Sequence, residues 1–247
     1  MFREEGSARS AKKNAYLAGY LALIAGFVNS GGFVLIGSFT SHVTGSLGRM
    51  ADDVARADGA AAVGASVLVL SFFLGAVAAT LILESRSERT GYGIALLVEG
   101  LLLLTFVFVA ELTQSTHLRV LDAQAVLLCL AMGLQNSLVT RLSGAVVRTT
   151  HLTGVVTDIA IETTRWYRWH RAKLPVILEL FGTPPVRPHP EKLMVLGTIV
   201  LGFTVGAVVG GVLTLRASRW AMLMPAMGIF AASASAFYQR TKVETRR

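Results

Sequence analysis

The sequence predicts an all-α membrane protein in which six transmembrane helices form two inverted three-helix repeats, with the first and fourth spans broken. Three observations predict it. The chain is 53% hydrophobic and only 15% charged, with a mean hydropathy of +0.59, whereas a soluble domain carries about 25% charge. It contains six apolar runs close to the roughly 20 residues that one helix needs to cross a hydrocarbon core. A polar motif also occurs twice. Gly26-Phe27-Val28-Asn29 is followed by Ser41-His42-Val43-Thr44-Gly45, and Gly133-Leu134-Gln135-Asn136 is followed by Thr150-His151-Leu152-Thr153-Gly154. Asn and His stand 13 residues apart in the first copy and 15 in the second. Two copies of one device signal a duplicated architecture.

Residues 1–13 carry Arg3, Arg9, Lys12 and Lys13 against Glu4 and Glu5 and read as a polar, basic tail. No short apolar segment ending in a small-residue cleavage site follows, so the first long apolar stretch is a retained anchor. That span, residues 14–36, is interrupted by Asn29-Ser30-Gly31-Gly32 and again by Gly37-Ser38, and a short amphipathic helix follows from Thr44 to Arg56. Residues 60–83 contain no charge and form the second span; 92–110 form the third, with Glu99 inside it. Residues 123–139 open the second repeat.

The polar segment from Thr163 to Lys192 holds Arg165-Trp166-Tyr167-Arg168-Trp169-His170-Arg171. Trp and Tyr settle at headgroup depth while Arg meets anionic lipid, so the segment reads as an interfacial helix on the cytoplasmic side. One short basic cluster is a poor groove reader, and nucleic acid is not an expected partner. Residues 193–215 and 220–237 are the fifth and sixth spans. The chain thus divides into a cytoplasmic tail (1–13), a first repeat (14–110), an outer linker (111–122), a second repeat (123–238, with the cytoplasmic loop 163–192) and a cytoplasmic tail (239–247).

Orientation follows from the 23 Lys and Arg residues. With the N-terminus inside, only Arg49, Arg56, Arg119, Arg216 and Arg219 fall outside, and the positive-inside rule chooses cytoplasmic N- and C-termini. Ser71, Gly75 and Ala79 in the second span match Gly202, Gly206 and Gly210 in the fifth, small-residue ridges that let helices approach closely. Three spans per repeat is an odd number, so the second copy enters the membrane from the opposite side. The single cysteine, Cys129, excludes an intramolecular disulfide and a Cys-rich metal site.

Ala131-Met132-Gly133-Leu134-Gln135-Asn136 followed by Arg148-Thr149-Thr150-His151-Leu152-Thr153-Gly154 resembles the YoaK-type family of small integral membrane proteins of bacteria. The resemblance covers nearly the whole chain and implies a membrane fold in the bacterial cytoplasmic membrane; the family has no assigned activity. The first copy departs from the family pattern at Asn29 and Ser46.

Function therefore has to come from the residues. Inverted repeats with broken helices are the architecture of many secondary transporters, whose half-helix ends meet near the bilayer midplane around the solute. A helix starting at Thr44 or Thr153 would aim N–H groups and a positive dipole end at an anionic or polar ligand. The candidate binding residues are Asn29, His42, Thr44, Gly45, Gln135, Asn136, His151, Thr153 and Gly154. Glu99 is the candidate for proton coupling, since a carboxylate inside a span is costly and by default functional. Structural readings compete at each: Thr as a plain cap, His as a satisfied packing residue, Asn as an interhelical hydrogen bond, and Glu99 as a group one turn from the interface. Arg141 and Arg148 read as cytoplasmic anchors, with ligand pairing through Arg148 as the alternative. Asp52, Asp53, Asp158 and Glu162 read as solvated faces of the short helices.

No Walker motif, HExxH, GxSxG or pair of catalytic carboxylates appears, so no enzyme, metal or cofactor is expected. The candidate partners are the lipid bilayer, a small polar or anionic solute and a second copy of the chain. The competing class is a non-transporting sensor, scaffold, or lipid- or partner-binding subunit.

Overall fold

The computed structural model describes residues 11–112, 121–142, 150–171 and 186–244. Among them there is no strand. The helices are α1 (Ala11–Ile36), α2 (Val43–Ala55), α3 (Gly59–Ser85), α4 (Glu88–Leu112), α5 (Leu121–Leu142), α6 (Leu152–Arg171), α7 (Pro190–Ala217) and α8 (Leu223–Glu244). A 3-10 turn, Ser218–Met222, joins α7 to α8, with Ser218 at φ 53.

Among the described residues, five helical stretches are long and apolar enough to cross a membrane: Ala15–Ile36, Gly59–Ser85, Thr90–Leu112, Ala123–Arg141 and Pro190–Tyr238. The last, of 49 residues, takes in both the fifth and the sixth expected runs, because the link between α7 and α8 is itself helical. The outward faces are apolar, with Val63, Leu70, Phe73 and Leu81 exposed on α3 and Leu201, Val208 and Leu215 on α7. Apolar faces of that extent belong against lipid, and the chain is a membrane protein.

Local chemistry sets the helix ends. Asp58 accepts the Ala61 N–H at 3.0 Å and starts α3 as an N-cap. Pro190 occupies the first turn of α7, where its missing N–H costs nothing. The first helix departs from expectation: α1 runs unbroken through Asn29-Ser30-Gly31-Gly32 to Ile36. Those glycines are spacers for a close approach and not breakers. A Cβ on Gly31 would lie 2.5 Å from Met222 Cε and 2.7 Å from Thr214 Oγ1, and one on Gly32 would lie 3.1 Å from Leu128 Cδ1. The break comes at Gly37, whose φ of +70 favours glycine. The aromatic and basic stretch after the second motif is helical as expected, and it is continuous with the short helix before it: α6 runs from Leu152 through Trp166 and Trp169 to Arg171. The breaker residues of the second motif, with Arg148, lie outside the described residues, as do residues 1–10, 113–120, 172–185 and 245–247.

Helix pairing is unusual in its order. α1 lies along α7 in the same direction, with Gly19 against Thr198, Leu23 against Gly206, Phe27 against Gly210 and Gly31 against Thr214. α3 lies along α5, also in the same direction: Phe72 meets Gly133, Thr80 Oγ1 and Ser137 Oγ share a hydrogen bond of 3.0 Å, and Glu84 reaches Arg141 at 2.9 Å. α4 and α8 run antiparallel, Gly93 meeting Phe237, Gly100 meeting Phe230 and Glu111 pairing with Arg219. α1 and α5 are antiparallel as well, with Gln135 Nε2 donating to Leu21 O at 3.5 Å and Gly32 facing Leu128.

This pattern survives exchange of the two halves. Replacing α1, α2, α3 and α4 by α5, α6, α7 and α8 turns the α1–α7 pair into the α5–α3 pair and leaves α4–α8 unchanged. The correspondence extends to the closest contacts of the α1–α7 and α3–α5 pairs. A Cβ on Gly26 would overlap the carbonyl oxygen of Phe203, and one on Gly133 that of Phe72. A Cβ on Gly206 would overlap the carbonyl oxygen of Leu23, and one on Gly75 that of Leu130. Backbone-to-backbone approach this close is what small-residue ridges permit.

Candidate functional site

After α1 ends, the chain turns back on itself. Asn29 Oδ1 accepts the Ser41 N–H at 3.2 Å and the Ser41 hydroxyl at 2.9 Å. Asn29 lies seven residues before the end of α1, so Ser41 sits about 10 Å back along the helix. α2 starts from that depth. In the second half, Asn136 Nδ2 donates to Thr150 Oγ1 and brings the start of α6 back beside α5. Because Gly32 faces Leu128 and Leu21 faces Gln135, the two asparagines are separated by roughly 10 Å along the common axis.

The structure moves each helix cap two residues back, from the threonine to the histidine. The first helical hydrogen bonds are Ser46 N–H to His42 O at 3.0 Å and Val155 N–H to His151 O at 3.1 Å. His42 and His151 are therefore the cap residues, and Thr44 and Thr153 lie inside the first turn. His42 makes no side-chain cap bond; its ring folds back over the turn. A Cβ on Gly45 would overlap the His42 ring, and a Cβ on Gly154 would stand 2.5 Å from His151 Cε1 and Nδ1. Glycine three residues after each histidine gives the imidazole its place.

Both turns open on one cavity of about 910 Å³. Ser41, His42, Val43 and Thr44 line it on one side and Thr150, His151, Leu152 and Thr153 on the other. α3 adds Phe72 and Ala76, and α5 adds Asn136, Ser137, Thr140 and Arg141. The positive ends of α2 and α6 thus face a shared space.

Of the residues singled out from sequence, His42, Thr44, Asn136, His151 and Thr153 line this cavity. Gly45 and Gly154 sit behind the imidazoles. Asn29 is buried behind Ser41, and Gln135 is fully buried on Leu21 O with its Oε1 lacking a hydrogen-bond partner. Glu99 is apart from the cavity lining. It has no exposure, and neither carboxylate oxygen has a hydrogen-bond partner. Tyr20, within electrostatic range of Glu99, donates its hydroxyl to Gly228 O at 2.6 Å. The arrangement gives a negative charge on Glu99 no donor to rest on.

Sequence reasoning passed over Ser41, Ser137, Thr140 and Thr150, and read Arg141 only as an anchor. The first and last of the hydroxyls immediately precede the histidines, and Thr140 follows Asn136 by one turn on the same face of α5, so the signal was present. Arg141 Nη1 stands 2.9 Å from Glu84 Oε1, a pair in which both side chains are well exposed.

The first half of α6 leads from the cavity to a polar cluster. Glu162 was expected to be solvated, but its side chain is 1% exposed. It accepts from Arg165 Nη1 at 2.8 Å and from the His189 N–H at 3.1 Å, with Lys192 Nζ at 3.9 Å. Burial pushes its carboxyl up; the His189 and Arg165 hydrogen bonds and the Arg165 and Lys192 charges outweigh this and hold it below its ordinary 4.5. These contacts fasten α6 to the start of α7.

A family model matches residues 17–235, and the chain belongs to that family, DUF1275, proteins of unknown function. No curated protein and no solved structure matches the chain.

Proposed function

We propose that the protein is a secondary transporter of a small polar or anionic solute, of the YoaK type, in the bacterial cytoplasmic membrane, and not an enzyme. In this reading it crosses the membrane six times as two inverted repeats with both termini cytoplasmic. Alternating helix directions and the exchange symmetry of the pairings support the six-span arrangement, as does the placement of Lys and Arg. One observation carries the function: two re-entrant segments, one from each half, end on a single cavity lined by hydroxyls, an amide and two imidazoles. Non-helical backbone at membrane depth is tolerated where it lines such a cavity.

The solute sits between the two His-x-Thr-Gly turns, within reach of Thr44, Asn136 and Thr153. Asn29 acts from behind, through Ser41. Glu99 takes and gives up a proton as the halves rock against one another, its buried, donorless carboxyl supporting that role. Protein in liposomes loaded with a pH-sensitive dye and offered pools of small anions and polar metabolites tests the reading. Solute-dependent proton movement lost in Glu99→Gln is the expected result. Flux that survives Glu99→Gln but fails in Asn136→Ala means transport without that coupling.

The competing reading is a non-transporting sensor, scaffold or lipid-binding subunit. It is favoured by the direction of both asparagine amides onto Ser41 and Thr150. Absence of flux from every pool, with Asn29→Ala and Asn136→Ala changing only stability, makes it the better account. Cysteines placed at positions 58 and 171 in a chain lacking Cys129 test the topology: they label from opposite sides if the six-span arrangement holds.

A further inference from the structure

The charges around the cavity are one-sided. Among its described lining residues there is no carboxylate, and the one guanidinium is that of Arg141. That guanidinium is held by Glu84, which does not line the cavity, at 2.9 Å. Side-chain exposures of 44% for Arg141 and 60% for Glu84, in the last turn of each span, leave the pair open at the membrane surface, where exposed pairs are weak and readily exchanged. Apolar side chains, Val43, Phe72, Ala76 and Leu152, also line the cavity. An inorganic ion would leave that surface unused.

We propose that the solute is an organic monoanion of the carboxylate class, and that Arg141 is its charge partner, with Glu84 the internal carboxylate that the solute replaces. The inference rests on the transport reading and names its substrate class. The planar guanidinium fork matches one carboxylate as well as another, so the exchange preserves the charge-assisted hydrogen bond that Glu84 now makes. The solute's apolar body lies against Phe72 and Leu152. Glu84 belongs to α3 and Arg141 to α5, so the exchange also releases a tie between the two helices.

The test compares a pool of short monocarboxylates, from acetate to octanoate and benzoate, with the pool of their primary amides, by binding to the full chain in nanodiscs and by flux in liposomes. The carboxylate pool is expected to bind and the amide pool to bind at least tenfold more weakly. Arg141→Gln should weaken carboxylate binding about 10- to 100-fold, and Arg141→Lys should restore part of it. Glu84→Gln removes the competitor without touching the cavity and should tighten carboxylate binding about 2- to 5-fold. A purely structural ion pair gives the opposite, since Glu84→Gln then weakens binding or leaves it unchanged, and that result overturns the inference. Amides carried as well as acids, with no response to Arg141→Gln, overturn it while the transport reading stands. Silence from both pools, in binding and in flux, overturns this inference; the transport reading falls only if the wider pools of anions and polar metabolites are silent as well.

Discussion

The two halves of the molecule share their closest helix approaches and differ in their polar chemistry. Gly26 on Phe203 repeats as Gly133 on Phe72, and Gly206 on Leu23 repeats as Gly75 on Leu130. Each histidine ring lies over the glycine three residues on, His42 by its Cδ2–Nε2 edge and His151 by its Cε1–Nδ1 edge. The polar fixings do not repeat. Asn29 accepts two hydrogen bonds from Ser41, whereas Asn136 donates to Thr150. Glu162, eleven residues after its histidine, is buried in a cluster with Arg165, His189 and Lys192; Asp53, eleven residues after the other, has a buried Oδ2 with no hydrogen-bond partner. Helix crossings are fixed by sterics that tolerate no added atom. Side-chain partners are free to differ because each half-helix ends against its own surroundings.

Four experiments sharpen or break that comparison. The largest effect belongs to the crossings: Gly26→Val and Gly133→Val each force a side chain into a backbone carbonyl, and both should destabilise the detergent-solubilised protein by about 3 kcal/mol or more. Thermal unfolding of the pair checks it. If one is tolerated and the other is not, the crossings are not equivalent. Next, Glu162→Gln should cost about 1–3 kcal/mol, by weakening charge-assisted bonds to Arg165 and His189, while Asp53→Asn should stay within about 0.5 kcal/mol of the parent. Equal losses would mean that both short helices are fastened alike.

The third uses pH. Glu162 is held below its ordinary 4.5 in the folded chain, so the stability its charge contributes is complete above that value and drains away as the pH falls through the lowered one. The Tm should drop on acidification, and drop less in Glu162→Gln; parallel curves would mean that Glu162 is not the group responsible. The smallest effect separates the asparagines. Asn29→Asp keeps the acceptor that Ser41 uses, whereas Asn136→Asp removes the N–H that Thr150 accepts and obliges the Thr150 hydroxyl to turn and donate instead, so the second should cost more by about 1 kcal/mol. The reverse order breaks the contrast between the two amides.

Much of the fold was legible in the sequence because apolar length, small-residue spacing and the doubled motif each report one-dimensional constraints. The 202, 206 and 210 ridge is where α7 meets α1. Gly31 and Gly32 misled for a physical reason: glycine weakens an isolated helix, but between packed helices it is what admits a neighbour, and Met222, Thr214 and Leu128 fill the space. The histidines were visible and their role as cap residues was not, since Thr is the better cap by propensity and nothing local shows a ring folding back over glycine. Glu162 looked solvated because its partners His189 and Lys192 stand 27 and 30 residues further on. Arg141 was legible as a cation near a membrane surface; its place at the cavity depends on where α2 and α6 return.

The parallel pairs have a consequence for how the chain is made. α1 finds its main neighbour in α7 and α3 finds its own in α5, so the first half leaves the ribosome with its closest-fitting surfaces unmatched. The α3 ridge is matched once α5 has been made, whereas the α1 ridge stays open until residues beyond 190 have been synthesised. Assembly is therefore late and collective, and a chain truncated after α5 would present α1 as a bare groove to any quality-control protease that patrols the membrane.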